Sequence, residues 1–421
     1  MGVAGSLTAA HAADAPTPST TSKQWSLEQC LDQARKNHPV LKAARARLDS
    51  SRSSLDAAKA SRLPRADLFA GYDRLSGSTP QKRTYLGDSL DDLQAGVEIT
   101  QPLYAGGRLS TEKDIADLAS RIAQEDLRDA ERRVLFDVEV SYFQLLYTQK
   151  ILIARTRLLE RLRSHLDYST HLNQRTGIPR REALLRIESQ FDSSRQEMEK
   201  ASTRVATAQR GLIAAMGVDG PAVSKTIEVA DPGVEVSPQA AVNGTEPLPV
   251  AARARWTTAL YGKEADRTGS ALYPNLDMHG VWRYEGSPEM GKDEWYAGLR
   301  ARWNLFDAGA NRDRSKAARL RAQESQSAEE DVLRRIALEK ESARLDHESS
   351  VRRVGDAQSA LEKAQKSFEL TNSRYRDGLV GSYEWLDSYR FLVTAQESHE
   401  QVLLDLRLSA ARMTLWSGGQ P

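Results

Sequence analysis

One unit occurs twice in this 421-residue chain, and it constrains the fold more than any other feature. In residues 294–309, EWYAGLRARWNLFDAG, period two puts Trp295, Ala297, Leu299, Ala301, Trp303 and Leu305 on one side and Glu294, Tyr296, Gly298, Arg300, Arg302 and Asn304 on the other. That is a strand with an apolar face and a charged face. From Ala310 a long Ala-, Arg-, Glu- and Gln-rich segment follows, with no proline before the last residue, so the strand runs into a long helix. Residues 93–107, LQAGVEITQPLYAGG, make the same junction: Leu103-Tyr104 answers Leu305-Phe306 and Gly107 answers Gly309. The chain is a tandem duplication of a strand-to-helix unit.

Each half adds the same companions. Val40 to Arg62 and Val250 to Ser270 read as short helices sharing the string AARAR, stopped by Pro64 and Pro274. Ala66 to Leu75 and Asn275 to Glu285 alternate as strands, so hairpins are expected over 66–104 and 275–307, joined across polar loops. Arg108 to Arg175 lacks proline and repeats apolar residues every three or four positions, which predicts a helix roughly 100 Å long. After Thr176-Gly177-Ile178-Pro179 a helix returns from Arg180 to Met216, only roughly 55 Å. The short helix would supply roughly 35 Å more, so the lengths match if one continuous helix packs against two stacked pieces. In the second half the long helix runs to Asp377, Gly378 to Ser382 turns, and Tyr383 to Trp416 returns. An additional helix over Trp25 to Asn37 opens the first half, with Cys30 as a core position.

The expected organisation is a leader (1–22), a first repeat (23–216), a Pro-, Gly- and Val-rich linker (217–249) and a second repeat (250–418). Ala10-His11-Ala12 resembles a small-residue signal-peptidase site, although no Lys or Arg precedes it. The fold class is mainly α with a small β part: duplicated antiparallel coiled-coil hairpins plus amphipathic strands.

Composition narrows the setting. With 59 basic and 58 acidic residues, the chain has no electrostatic bias toward nucleic acid. No apolar run is long enough for a transmembrane helix, but β-barrel strands need only alternate. Two strands per half make four per chain, too few to close a membrane barrel, and open edges in lipid leave backbone groups unsatisfied at several kcal/mol each. Several chains must share the barrel. Trp282, Tyr284, Trp295 and Trp303 suit interfacial girdles, and Glu98, Asp277, Arg283, Arg300 and Arg302 would line a watery lumen.

The duplicated layout, with its PLYAGG and NLFDAG junctions, resembles the TolC-type outer-membrane efflux proteins from Trp25 to Gly418. The resemblance implies a homotrimer in the outer membrane of a Gram-negative bacterium, with a shared twelve-stranded barrel and a long periplasmic helical tunnel. It also implies a passive exit duct docked by a periplasmic adaptor (membrane fusion) protein and an inner-membrane pump. A type I protein-secretion duct shares every one of these features. A soluble coiled-coil scaffold would need only the helices, and the aromatic strands argue against it.

No catalytic, cofactor or metal constellation is present: the seven histidines are scattered, and Gly106-Gly107 lacks phosphate-loop spacing. The resemblance points instead to the hairpin turns. It implies a periplasmic gate, which Tyr375, Glu384 and Asp387 match by position, with Arg180, Arg181 and Glu182 close by in the first turn. Val380 and Ala183 depart from the basic and acidic residues the family has at their positions. Adaptor contact is expected at Gly177-Ile178-Pro179 and Gly378-Leu379-Val380-Gly381. A threefold ring of carboxylates would cost on the order of 0.7 kcal/mol per pair at roughly 6 Å in water, so it would attract cations more than it would lock a mouth.

Overall fold

A computed structural model of the chain describes residues 25–76, 91–176, 181–218, 229–231, 247–286 and 291–417. The leader, most of the linker, the loop tips and the first turn (Gly177, Ile178, Pro179 and Arg180) lie outside these residues.

Four strands form one antiparallel meander: β1 (Arg65–Arg74), β2 (Asp91–Ala105), β3 (Asn275–Gly286) and β4 (Gly291–Arg302). The middle pairing, β2 with β3, joins the two halves of the duplication. Register aligns the apolar sides of all four strands. Leu68, Val97, Trp282 and Trp295 are directly opposed in one row, and Ala66, Ile99, Gly280 and Ala297 in the next. Opposed residues of an antiparallel ladder share a face, so the sheet has one apolar side. A bulge between Pro102 and Tyr104 makes Tyr104 the partner of Leu276. The expected hairpin over 275–307 is corrected at its end: β4 stops at Arg302, and Trp303 and Leu305 lie beyond the ladder, where no β3 residue precedes Asn275 to pair with them.

The helices are α1 (Leu27–Asn37), α2 (Pro39–Ala60), α3 (Arg108–Thr176), α4 (Arg181–Ala215), α5 (Pro249–Gly269), α6 (Ala310–Arg376) and α7 (Ser382–Ser417). Helix α3 packs against both α2 and α4, and α6 against both α5 and α7. This is the arrangement of one long helix beside two short ones that length matching requires. Contacts of α3 with α5 and α7 join the pairs into a wall one helix thick. Helix α1 starts with a reciprocal capping box between Ser26 and Gln29 and seats the buried Cys30, Leu31 and Ala34 against Val138, Tyr142 and Leu145 of α3. The Tyr142 hydroxyl reaches the carbonyls of Ala230 (2.6 Å) and Trp25 (3.1 Å), tying the chain between the repeats to this core. A second cluster lies toward the turns, built from Leu158 and Leu162 on α3, Ile187 on α4, Phe368 on α6 and Trp385, Tyr389 and Leu392 on α7.

The strand-to-helix corners repeat in the backbone as they do in sequence. Gly106 and Gly107 have φ of +59° and +85°, and the equivalent Ala308 and Gly309 have +55° and +89°. Ala308 holds a left-handed conformation that disfavours a Cβ. The Asp307 carboxylate steadies that corner, accepting the N–H of Gly309 at 3.0 Å and of Asn311 at 2.9 Å. A Cβ at Gly106 would meet the Ser270 carbonyl at 2.7 Å as well. Ala308→Gly is therefore expected to be neutral or stabilising by up to about 1 kcal/mol, and Gly106→Ala clearly destabilising. Denaturant midpoints of the two variants test the contrast.

Candidate functional site at the hairpin turns

The second turn is built by backbone rules before any function acts on it. Gly378 is left-handed at φ +73°, its N–H bonds the Tyr375 carbonyl at 3.1 Å, and the Leu379 N–H bonds that of Arg374 at 2.9 Å. This double bond pattern, with glycine just past the helix end, closes α6. Helix α7 then starts from Gly381, whose carbonyl accepts the Trp385 N–H and whose own N–H donates to Glu384 Oε2 at 3.1 Å. Glu384 is thus half of a capping box. Leu379, 73% exposed, stands at the tip.

Tyr375, in the last turn of α6, is buried, and its hydroxyl shares hydrogen bonds with Ser169 of α3 (3.0 Å) and Ser382 of α7 (3.3 Å). One side chain joins three helices. Beside it, the His165 ring stacks on the Trp385 indole, centroids 3.6 Å apart and planes within 1°, and lies 4.6 Å from the Tyr375 ring. Trp385 Nε1 donates to Asn372 Oδ1 at 2.9 Å, fixing the indole. These rings floor an open cleft of about 700 Å³ between α3 and α6. Asp387 and Glu182 line a different groove, between α4 and α7, together with Arg186 and Arg390.

Further up the hairpins, Arg155 of α3 bonds Glu197 of α4 and Glu397 of α7, each at 2.8 Å. Lys200 and Arg155 hold the Glu197 carboxyl below the usual carboxylate range. The clamp links both hairpins at one half-buried cation.

The candidate residues are therefore only partly gathered. Tyr375 is at the junction of α3, α6 and α7; Glu182 and Asp387 share a groove; Glu384 is exposed and engaged by its own helix start. Glu182 pairs with Arg186, one turn along α4, at 2.8 Å, and Arg181 is exposed. At the other end of the chain, register puts Glu98, Asp277, Arg283, Arg300 and Arg302 on the polar side of the sheet, where Arg283 Nε donates to Glu294 across the strands at 2.6 Å. Sequence patterns do not single out Ser169, Trp385 or Arg155, and His165 is one of the scattered histidines. Nothing local marks them, because their partners are tens to hundreds of residues away.

A bare sheet carrying an exposed apolar side, set on long helical hairpins, defines a β-barrel membrane protein with a helical extension. Among the described residues no helix is long and apolar enough to cross a membrane. The sequence profile of the outer membrane efflux protein family matches residues 30–218 and 250–419. The chain belongs to that family, and it is an outer-membrane protein with a long periplasmic helical part. The outer membrane protein TolC of Vibrio cholerae is 31% identical over 113 residues, a segment covering 27% of this chain and 26% of that protein. The crystal structure of the Campylobacter jejuni CmeC outer membrane channel superposes with a TM-score of 0.84 at 16% identity, covering 93% of this chain and 85% of that one. That of the outer membrane protein VceC of Vibrio cholerae gives 0.82 at 17% identity, covering 93% and 96%.

Because Glu384 caps α7, Glu384→Ala is expected to fray its first turn at a cost of about 0.5–1 kcal/mol, with Glu384→Gln retaining most of the cap. Amide exchange of residues 382–386 measures this.

Proposed function

We propose that three copies of this chain close into one twelve-stranded barrel across the outer membrane, and that the helical walls continue it as a periplasmic tunnel. In this assembly residues 23–216 and 250–418 each give two strands and two columns of wall. The assembly is a passive exit duct of a tripartite efflux pump, engaged by a periplasmic adaptor protein and an inner-membrane pump.

One observation carries the reading: the apolar side of the sheet is open. Leu68 is 83% exposed, Trp295 78% and Leu299 66%, and among the described residues no helix packs across the sheet. A soluble sheet buries one face, whereas a lipid-facing one need not. The outer edges of β1 and β4 have no partner among the described strands, and in lipid they demand one. Among the described residues the helical wall has matching free flanks, since α2 and α4 pack on α3, while α6 packs along its length on α5 and α7 and meets α3 near the turn through Tyr375. Leu320, Leu338 and Leu370 on α6 are exposed accordingly. Copies placed edge to edge satisfy both layers at once.

In such a barrel Glu98, Asp277, Arg283, Arg300 and Arg302 face the lumen. At the other end, Tyr375 holds the turn against α3, Glu384 and Asp387 form acidic rings with Arg180, Arg181 and Glu182 beside them, and the turns 177–179 and 378–381 meet the adaptor. Chemical cross-linking of detergent-extracted protein should trap a trimer, and reconstitution in planar bilayers should give a conductance. A monomer that stays in the soluble fraction would overturn the proposal.

Tyr375→Phe removes both hydroxyl contacts of the turn, a loss of about 1 kcal/mol per protomer, and is expected to raise the open-to-closed ratio about fivefold per protomer, read as longer single-channel open time. Leu379→Asp leaves the left-handed glycine untouched and is expected to abolish export while the trimer persists on cross-linking.

A further inference from the structure

We propose that the stack of His165 on Trp385 is an acid-sensitive latch: the neutral, buried imidazole holds the first turn of α7 against α3, and its protonation releases that turn. The proposal takes the helical end to be a closed state that can open, but it concerns the packing of α3 and α7 whatever the protein conducts.

The geometry comes first. His165 is only 6% exposed, its ring lies flat on Trp385, and the Tyr375 ring lies tilted against it at 4.6 Å. Its Nε2 is fully covered and has no hydrogen-bond partner among the described residues. Trp385 is itself 1% exposed and tied to Asn372 of α6, so the imidazole bears on the element that begins α7. An imidazolium carries a second N–H and a full charge, and among the described residues no buried carboxylate stands beside the ring to receive them. The charged groups on the adjoining cleft are Arg161 from α3 and Glu369 and Arg376 from α6, and all three are exposed. Helix α7 brings only the indole to that cleft, its nearby Glu384 and Asp387 being exposed, and α4 brings nothing. The two cations oppose an added positive charge. The solvated Glu369 offsets them weakly, and the attraction of the indole face falls short of the lost hydration.

Burial accordingly lowers the His165 pKa from 6.5 to about 4. The sign follows: a base with a depressed pKa in the closed state stabilises that state least in acid. The penalty is absent above the open-state pKa, grows as pH falls below about 6.5, and levels off once the closed state protonates near pH 4. Between pH 7 and pH 5 the open-to-closed ratio should rise about 20-fold per protomer.

Hydrogen exchange of residues 382–389 in the purified, detergent-solubilised protein, corrected for the intrinsic pH dependence of exchange, reads the latch directly. Protection in the wild-type protein should fall by about 20-fold from pH 7 to pH 5, while His165→Phe, which keeps an aromatic ring on Trp385 and cannot titrate, should hold its protection. Should the phenylalanine fail to pack, His165→Gln serves as a second non-titrating variant, with lower protection that does not change with pH. Unchanged wild-type protection at pH 5, or an equal acid loss in both variants, would overturn the latch. A conductance that fails to appear in bilayers would count against the duct reading alone.

Discussion

The requirement that every backbone donor and acceptor in lipid be paired governs this structure. A four-stranded meander satisfies its inner strands and leaves the outer edges of β1 and β4 open. In water an open edge costs little, because solvent completes the pairing. In hydrocarbon it does not, and each unsatisfied group costs several kcal/mol. The exposed row from Leu68 to Trp295 is what places the sheet in the second situation. The need for further copies therefore originates in strand chemistry, and the helices follow it. Their length carries the wall away from the membrane, and their free flanks fall where the same copies must meet.

The helical layer solves a different problem. A wall one helix thick has no interior layer to bury a broad apolar face, so each long helix carries scattered buried residues among many exposed charged ones. Among the described residues, burial is concentrated in the two larger hydrophobic clusters. One is the cluster where α1 and the chain between the repeats close on Tyr142; the other is the aromatic cluster near the turns. Between them, the Arg155 clamp bridges three helices with a single cation. The wall is consequently held at discrete points, and those points are where a movement of one hairpin against another must be resisted or released. The pairing of Tyr375 and His165 with the start of α7 puts such a point within one turn of the tip.

Much of the architecture was legible in the sequence because it depends on periodicity and length. Alternation gave the faces of all four strands, and the observed register brought those faces together without exception from Leu68 to Trp295. Length matching gave one long helix against two short ones. The match of Gly107 with Gly309 in sequence has its counterpart in the backbone, where both corners are left-handed. The end of β4 was misjudged because Trp303 and Leu305 continue the alternation although no partner residue on β3 is left for them. The turn residues were found by position, but their roles were not. Glu384 has the spacing of an acidic ring residue, and the same spacing makes it the cap of α7. A single sequence does not separate those uses.

Sequence alone determined which residues form strands and helices, which side of each strand is apolar, and that one chain cannot complete its own sheet. These follow from local periodicity and from the chemistry of the peptide group. Tertiary structure decided the rest: that Tyr375 reaches Ser169 across 206 residues, that His165 lies flat on Trp385, and that Arg155 binds Glu197 and Glu397 together. Those contacts depend on how α3, α4, α6 and α7 are rotated about their axes. Rotation is set by the packing of whole helices over many turns, so no local pattern encodes it.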